Sequence, residues 1–108
     1  MSRSIIQEGH YCYLCSLLYG DDAEKPGLEK HHIIGGPYRQ LSEHYGLTVY
    51  LCRKHHTGDE SGSKEAVHHP EFNGYSAGLK KTAQTEFEKR HGHALWMEEF
   101  GRNYLDSD

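Results

Sequence analysis

Imidazole and thiolate are the side chains that bind transition metals best, and this chain concentrates both. It holds ten His and three Cys in 108 residues. Three spacings stand out: Cys12-x-x-Cys15, Lys30-His31-His32 and Cys52-x-x-His55-His56. Cys12, Cys15, Cys52 and His55 form a Cys-x-x-Cys knuckle followed at long range by a Cys-x-x-His knuckle. Four such ligands suit a closed tetrahedral zinc site with no position left for substrate. Knuckle spacing alone selects His55 over His56. Zinc sites of this type supply roughly 10 kcal/mol or more of folding free energy in zinc-finger peptides. A redox pair at Cys12 and Cys15, with Cys52 a core thiol, would call for βαβ surroundings that the pattern lacks.

His31, His32 and His56 remain for chemistry. Neighbours on a strand point to opposite faces, so His31 and His32 are not expected to share one ion. One can hold a metal while the other, off the metal, takes a proton from water. An unperturbed pKa of ~6.5 leaves such an imidazole mostly neutral at physiological pH. The metal can polarise a phosphoryl oxygen and stabilise a departing alkoxide. Arg39, Arg53 and Lys54 lie beside these residues as candidate phosphate contacts. Lys80 and Lys81 could extend that grip, or form a solvated helix face.

The elements that must position these groups can be read in order. Residues 1–9 read as a loose or weakly helical lead-in. Tyr11 to Cys15 reads as a knuckle turn, and residues 20–28 as a polar loop. Glu29 to Ile34 reads as a short strand ending in a Gly-Gly-Pro turn. Arg39 to Tyr45 reads as a helical turn stopped by Gly46. Leu47 to Leu51, β-branched and aromatic, is the best strand candidate. A helical segment after Cys52 completes a ββα unit, and residues 57–63 read as a loop. From Ser76 a helix is expected, with Leu79, Ala83 and Phe87 on one face and Gly92 as its stop. A second helix follows from about His93 to Phe100 or Tyr104, with Trp96, Phe100 and Tyr104 on one stripe. The expectation is a single α+β domain over residues 1–108: metal sites at about 10–70, two packed helices at about 76–105.

Composition fits this scheme. Hydrophobic residues make up 35% of the chain, little for a core of this size, so a structural metal would fill an energetic gap. An odd Cys count and no leading secretory segment point to a reducing cytoplasm. No apolar run approaches the ~20 residues of a membrane span. The formal net charge of −4 does not advertise a nucleic-acid binder. The negative excess sits at the two ends, however. Residues 29–70 balance five basic against five acidic residues.

The order Lys30-His31-His32-Ile33-Ile34-Gly35-Gly36, Tyr45-Gly46-Leu47-Thr48-Val49-Tyr50-Leu51-Cys52 and His55-His56 resembles the HNH nucleases, whose ββα-metal unit pairs a first-strand His-His with a closing His on its helix. With Val67-His68-His69 and Phe100-Gly101-Arg102-Asn103-Tyr104-Leu105, it looks closer still to small phage- and prophage-encoded proteins of that class. The resemblance implies a DNA endonuclease with His31 as metal ligand, His32 as general base and His56 as second ligand. It offers His68 as a third ligand, with His69 a weaker candidate for the same place. The implied cofactors are a structural Zn and a working divalent ion. A His-rich shell favours Zn, Ni, Co or Mn over Mg, and the family leaves Zn, Mn, Ni and Mg open. The implied setting is the cytoplasm of a bacterial host, with DNA as partner and packaging or recombination machinery nearby. The chain departs from the family at the middle Asn. Only Asn73 and Asn103 occur, both too late, leaving Ser42, His44 or Tyr45 as stand-ins. That departure and the acidic balance fit a second reading: an inactive zinc-stabilised module that binds DNA or protein without cutting.

Overall fold

The computed structural model describes residues 3–58, 65–68 and 74–105. It is an α+β arrangement of five helices and one two-stranded antiparallel sheet. Helix α1 spans Tyr13–Tyr19, strand β1 Glu29–His32, helix α2 Arg39–Tyr45, strand β2 Thr48–Leu51 and the single-turn helix α3 Arg53–His56. Helices α4 (Gly74–His91) and α5 (His93–Phe100) follow. None of the helices is long and apolar enough to cross a membrane.

The strands pair with Glu29 opposite Leu51, Lys30 opposite Tyr50, His31 opposite Val49 and His32 opposite Thr48. The pleat therefore puts Glu29 and His31 on one face of the hairpin, Lys30 and His32 on the other. The connection is made rigid by Ser42. Its hydroxyl is fully buried, donates to the Ile34 carbonyl at 2.6 Å and accepts from the Ile34 N–H at 3.1 Å. Of Ser42, His44 and Tyr45, Ser42 is the one that pins the loop after β1. His44 instead packs edge-on against Tyr45, and Tyr45 belongs to an aromatic group with Phe87, His91 and Phe100. Asn103 serves elsewhere, accepting from the buried Gln84 amide at 2.8 Å.

The two C-terminal helices cover this unit. Leu79, Ala83 and Phe87 of α4 and Trp96 and Phe100 of α5 are buried in one cluster with Ile33, Leu47, Val49 and Leu51. Tyr38 and Tyr45 pack at steep angles against Phe100 and so join the two layers. Helix α5 ends at Gly101, in the left-handed region, so Tyr104 reaches Trp96 from a non-helical segment and not along the helix stripe. That segment is held by buried side chains. Gln84 accepts from the Tyr104 N–H, and the Trp96 indole donates to the Arg102 carbonyl at 2.7 Å.

Two further expectations are corrected. Cys12 to Cys15 opens helix α1, with Cys12 as its N-cap accepting from the Cys15 N–H, in place of a turn alone. Residues 3–7 are not a loose or helical lead-in. They form an arm pinned along the open edge of β2: the Ile5 N–H donates to Gly46, the Ser4 hydroxyl to the Thr48 carbonyl, and the Tyr50 N–H to the Gln7 amide oxygen. Pairing with side chains covers an edge that would otherwise offer unpaired backbone groups. The loop expected at 57–63 falls largely outside the described residues.

Gly46 makes the arm possible. It caps α2 at φ +74°, and a Cβ there would lie 2.1 Å from the Arg3 carbonyl oxygen. Gly46→Ala therefore meets both a strained backbone and a backbone clash, and should cost well over about 1 kcal/mol. Chemical denaturation of the zinc-loaded protein measures the loss, and amide exchange at Ile5 and Tyr50 should show the arm released.

Candidate metal centres and their cleft

Helix α3 is where both clusters meet. Its last two residues, His55 and His56, point to different neighbours, one into each cluster. Cys12 and Cys15 come from the start of α1, and Cys52 from the residue that caps α3. These three sulfurs converge on His55. The Cys12, Cys15 and Cys52 Sγ atoms lie 3.5, 3.4 and 3.3 Å from His55 Nδ1, and Cys15 Sγ lies 3.8 Å from Cys52 Sγ. A tetrahedron with Zn–S bonds of ~2.3 Å and a Zn–N bond of ~2.0 Å has edges of about 3.8 and 3.5 Å. The donor set and spacing fit a closed zinc site, matching the expected ligands Cys12, Cys15, Cys52 and His55.

The electrostatics point the same way. At Cys12, burial opposes ionisation, but backbone N–H donors of Cys52 and Cys15 and the His55 ring outweigh it and bring the thiol down to about 7. At Cys15, burial and then the Cys12 and Cys52 sulfurs push the thiol up to about 12. Three sulfurs within 4.8 Å of one another cannot readily all ionise unless a cation sits among them. On the far side of His55, Nε2–H donates to Glu65 at 2.8 Å, fixing the tautomer that turns Nδ1 toward the sulfurs. Glu65 also accepts from the Tyr19 hydroxyl. The Tyr19 and His55 bonds hold its carboxyl below the usual range, so it stays an acceptor.

The second cluster is His31, His56 and His68, with ligand atoms all within 4.8 Å of one another. Ring centroids are 5.3 Å apart for His31–His56 and His31–His68, and 4.9 Å for His56–His68. His31 is only 5% exposed, yet its Nε2 is buried without a hydrogen-bond partner among the described residues. Burial, then the neighbouring His56, His68 and His32 rings and Lys80, hold His31 down to about 3. Burial, then His56 and Lys80, lower His68 as well. These rings therefore keep free lone pairs at neutral pH. His56 Nδ1 donates to Glu29 at 2.8 Å, leaving Nε2 for a ligand role. His68 is exposed, so this cluster opens to solvent where the first is closed. Three protein ligands with an open side is the arrangement of a working metal site. The other candidate for the third place, His69, lies outside the described residues, as does Asn73.

His32 points away from this cluster, as strand alternation requires. Its Nε2–H donates to Glu43 at 2.7 Å, and the other Glu43 oxygen accepts from Lys30 at 2.9 Å. Those bonds, Lys30 first, keep the Glu43 carboxyl below its ordinary range. The two faces rejoin at the strand end. Lys30, His31, His32, Gly35, Gly36, Arg39, His56 and His68 line one cleft of about 280 Å³. Arg39 is thus brought beside the cluster. Arg53 and Lys54 are not among the cleft-lining residues; Lys54 lies over the Tyr19 ring and 3.8 Å from Glu65, beside the sulfur cluster.

Three carboxylates escaped the sequence reading: Glu65 behind His55, Glu29 behind His56 and Glu43 behind His32. Only Glu29 left a local signal, two residues from His31 and hence on the same face. Glu65 and His68 arrive on one short segment, because the Val67 and His68 N–H groups donate to the His55 and His56 carbonyls at 2.8 and 3.1 Å.

Glu65→Gln should weaken zinc binding about 10- to 100-fold, since the His55 ring loses its anionic acceptor; competition against a chromophoric chelator reads this. Cys15 keeps its proton at pH 7 in the metal-free protein and must release it to zinc. Affinity should therefore rise with pH, by about one log unit per pH unit for each proton displaced.

Comparison with protein-family models, curated protein sequences and solved structures returns no match to this chain. What the two clusters can do follows from their own ligand types and distances.

Proposed function

We propose that this chain is a metal-dependent endonuclease of the HNH type that hydrolyses DNA phosphodiester bonds. The observation that carries this reading is one cleft containing an open three-imidazole cluster, a separate carboxylate-backed imidazole and an arginine. His31, His56 and His68 would hold a divalent ion. Such an ion supplies Lewis-acid stabilisation of negative charge on a phosphodiester and its leaving oxygen.

The remaining work falls to the chain's own groups. Glu43 accepts a hydrogen bond from the Nε2–H of His32, so in the neutral ring the lone pair is on Nδ1. His32 is then set to take a proton from a water at that atom, as a general base. The carboxylate behind it also stabilises the imidazolium that results. Glu29 does the corresponding positioning for His56, fixing its ring while Nε2 faces the cluster. Arg39, exposed at the cleft, offers a planar donor fork to phosphate oxygens. Lys30 adds a second cation at the same cleft, though Glu43 partly neutralises it. The closed sulfur cluster takes no part in chemistry; it fixes α3 and therefore His56.

Two results test the reading. Purified protein should carry two tightly bound divalent ions per chain by elemental analysis; one ion would indicate a staple only. His32→Ala should keep both ions and the fold but lose nicking of supercoiled plasmid by at least about 100-fold, the usual contribution of a general base. Full cleavage by that variant would remove His32 from the mechanism. Binding of DNA without nicking under any divalent ion would favour the inactive-module reading instead.

A further inference from the structure

A second cavity, at about 470 Å³ larger than the His-lined cleft, lies between the N-terminal arm and the sheet. Arg3, Ser4, Gln7, Glu8, Lys30 and Tyr50 supply its polar and aromatic lining. Lys30 borders both spaces, so the cavity and the cleft adjoin across one side chain. The strand register explains why. Lys30 and His32 share a face, roughly 6.6 Å apart along β1, with Tyr50 and Thr48 as their partners on β2. A chain-like ligand reacting at His32 would therefore run over Lys30 toward Tyr50 and the arm.

The cavity is pre-formed. Gln7 is buried and spends both ends of its amide, accepting from the Tyr50 N–H at 2.8 Å and donating to the Tyr11 carbonyl at 2.7 Å. Ser4 accepts from the Ile6 and Gln7 N–H groups while donating to Thr48. The arm is thus a fixed wall, and it carries Arg3, an exposed cation with no ion-pair partner among the described residues. Tyr50 also lines the space, its ring in a T-shaped contact with His10 at 4.6 Å between centroids. Glu8 adds an acceptor for amino or hydroxyl donors. Arg3, a Lys30 shared with Glu43, the Tyr50 ring and the Glu8 acceptor line this volume and match the chemistry of one nucleotide unit.

We propose that this cavity is a subsite for the nucleotide adjoining the scissile phosphate, with Arg3 and Lys30 meeting a phosphate and Tyr50 a base. The assignment rests on the nuclease reading for what lies in the neighbouring cleft. Edge protection alone would explain the arm's backbone contacts, but it would not call for a cation and an aromatic ring facing one space.

The test is a titration of the zinc-loaded, full-length His32→Ala protein with a 5′-phosphorylated thymidine dinucleotide, followed by amide chemical shifts. Shift changes at Arg3, Gly9, Thr48 and Tyr50, together with at least threefold weaker binding in Arg3→Gln, support the subsite. Changes confined to His31, Gly35, Gly36 and Arg39, with Arg3→Gln binding like its parent, overturn it, as does no response anywhere. Ser4→Ala, which loosens the arm without the clash that Gly46→Ala creates, should weaken binding in the same direction while zinc content stays unchanged. Plasmid cleavage by the unaltered protein, run in parallel, separates the two ideas. Cleavage with a silent cavity sinks the subsite alone. A responsive cavity without cleavage sinks the nuclease reading and leaves the cavity a nucleotide site, no longer one beside a scissile phosphate.

Discussion

The fold depends on three sulfurs brought within 3.3 to 3.5 Å of one imidazole nitrogen. Ionising all three sulfurs there is unfavourable without a cation and favourable around one. The arrangement ties the start of α1, the end of β2 and the turn of α3 into a single knot. A four-residue helix such as α3 has no stability of its own, because nucleating a turn is costly and one turn recovers little of it. The cluster supplies what the helix cannot. Since His56 follows His55 directly, fixing one ring at the closed site also fixes the other at the open cleft.

The two centres are coupled by backbone as well as by sequence adjacency. The segment 65–68 lies alongside α3 through two hydrogen bonds and delivers Glu65 to one cluster and His68 to the other. The closed centre therefore acts as scaffold for the open one. The same principle recurs in the carboxylates. Glu65, Glu29 and Glu43 each accept a hydrogen bond from one imidazole N–H and so set which ring nitrogen is left with a lone pair. This recasts the formal charge of −4. Some of that acidity orients His rings and pairs Lys30.

The ligand set of the closed site was legible in the spacing because knuckle geometry is local: Cys-x-x-Cys and Cys-x-x-His each bring two ligands together across a few residues. The bounds of α2, with Gly46 beyond them, were legible for the same reason, a left-handed stop being a one-residue event. The arm was not. Its contacts are side chains of Ser4 and Gln7 meeting β2 over forty residues away, and no periodicity announces such pairing. Tyr104 was misplaced on a helix stripe because its spacing is helical, while Gly101 had already ended the helix. Arg53 and Lys54 neighbour the motif in sequence yet do not line the cleft, since one turn of helix is enough to carry them around to other surroundings.

The sequence by itself determined the chemistry on hand: which residues can bind metal, which pair is split across a strand, where the chain must turn. Those are properties of residue type and near spacing, and they survive any arrangement of the rest. Tertiary structure decided convergence. It put His68 against His31 and His56, set a carboxylate behind each of three rings, gave the loop-pinning task to Ser42 and joined two faces of a hairpin in one cleft. Such contacts depend on the sum of packing over distant segments, and no local pattern encodes a distance between residues that meet only once the core has formed.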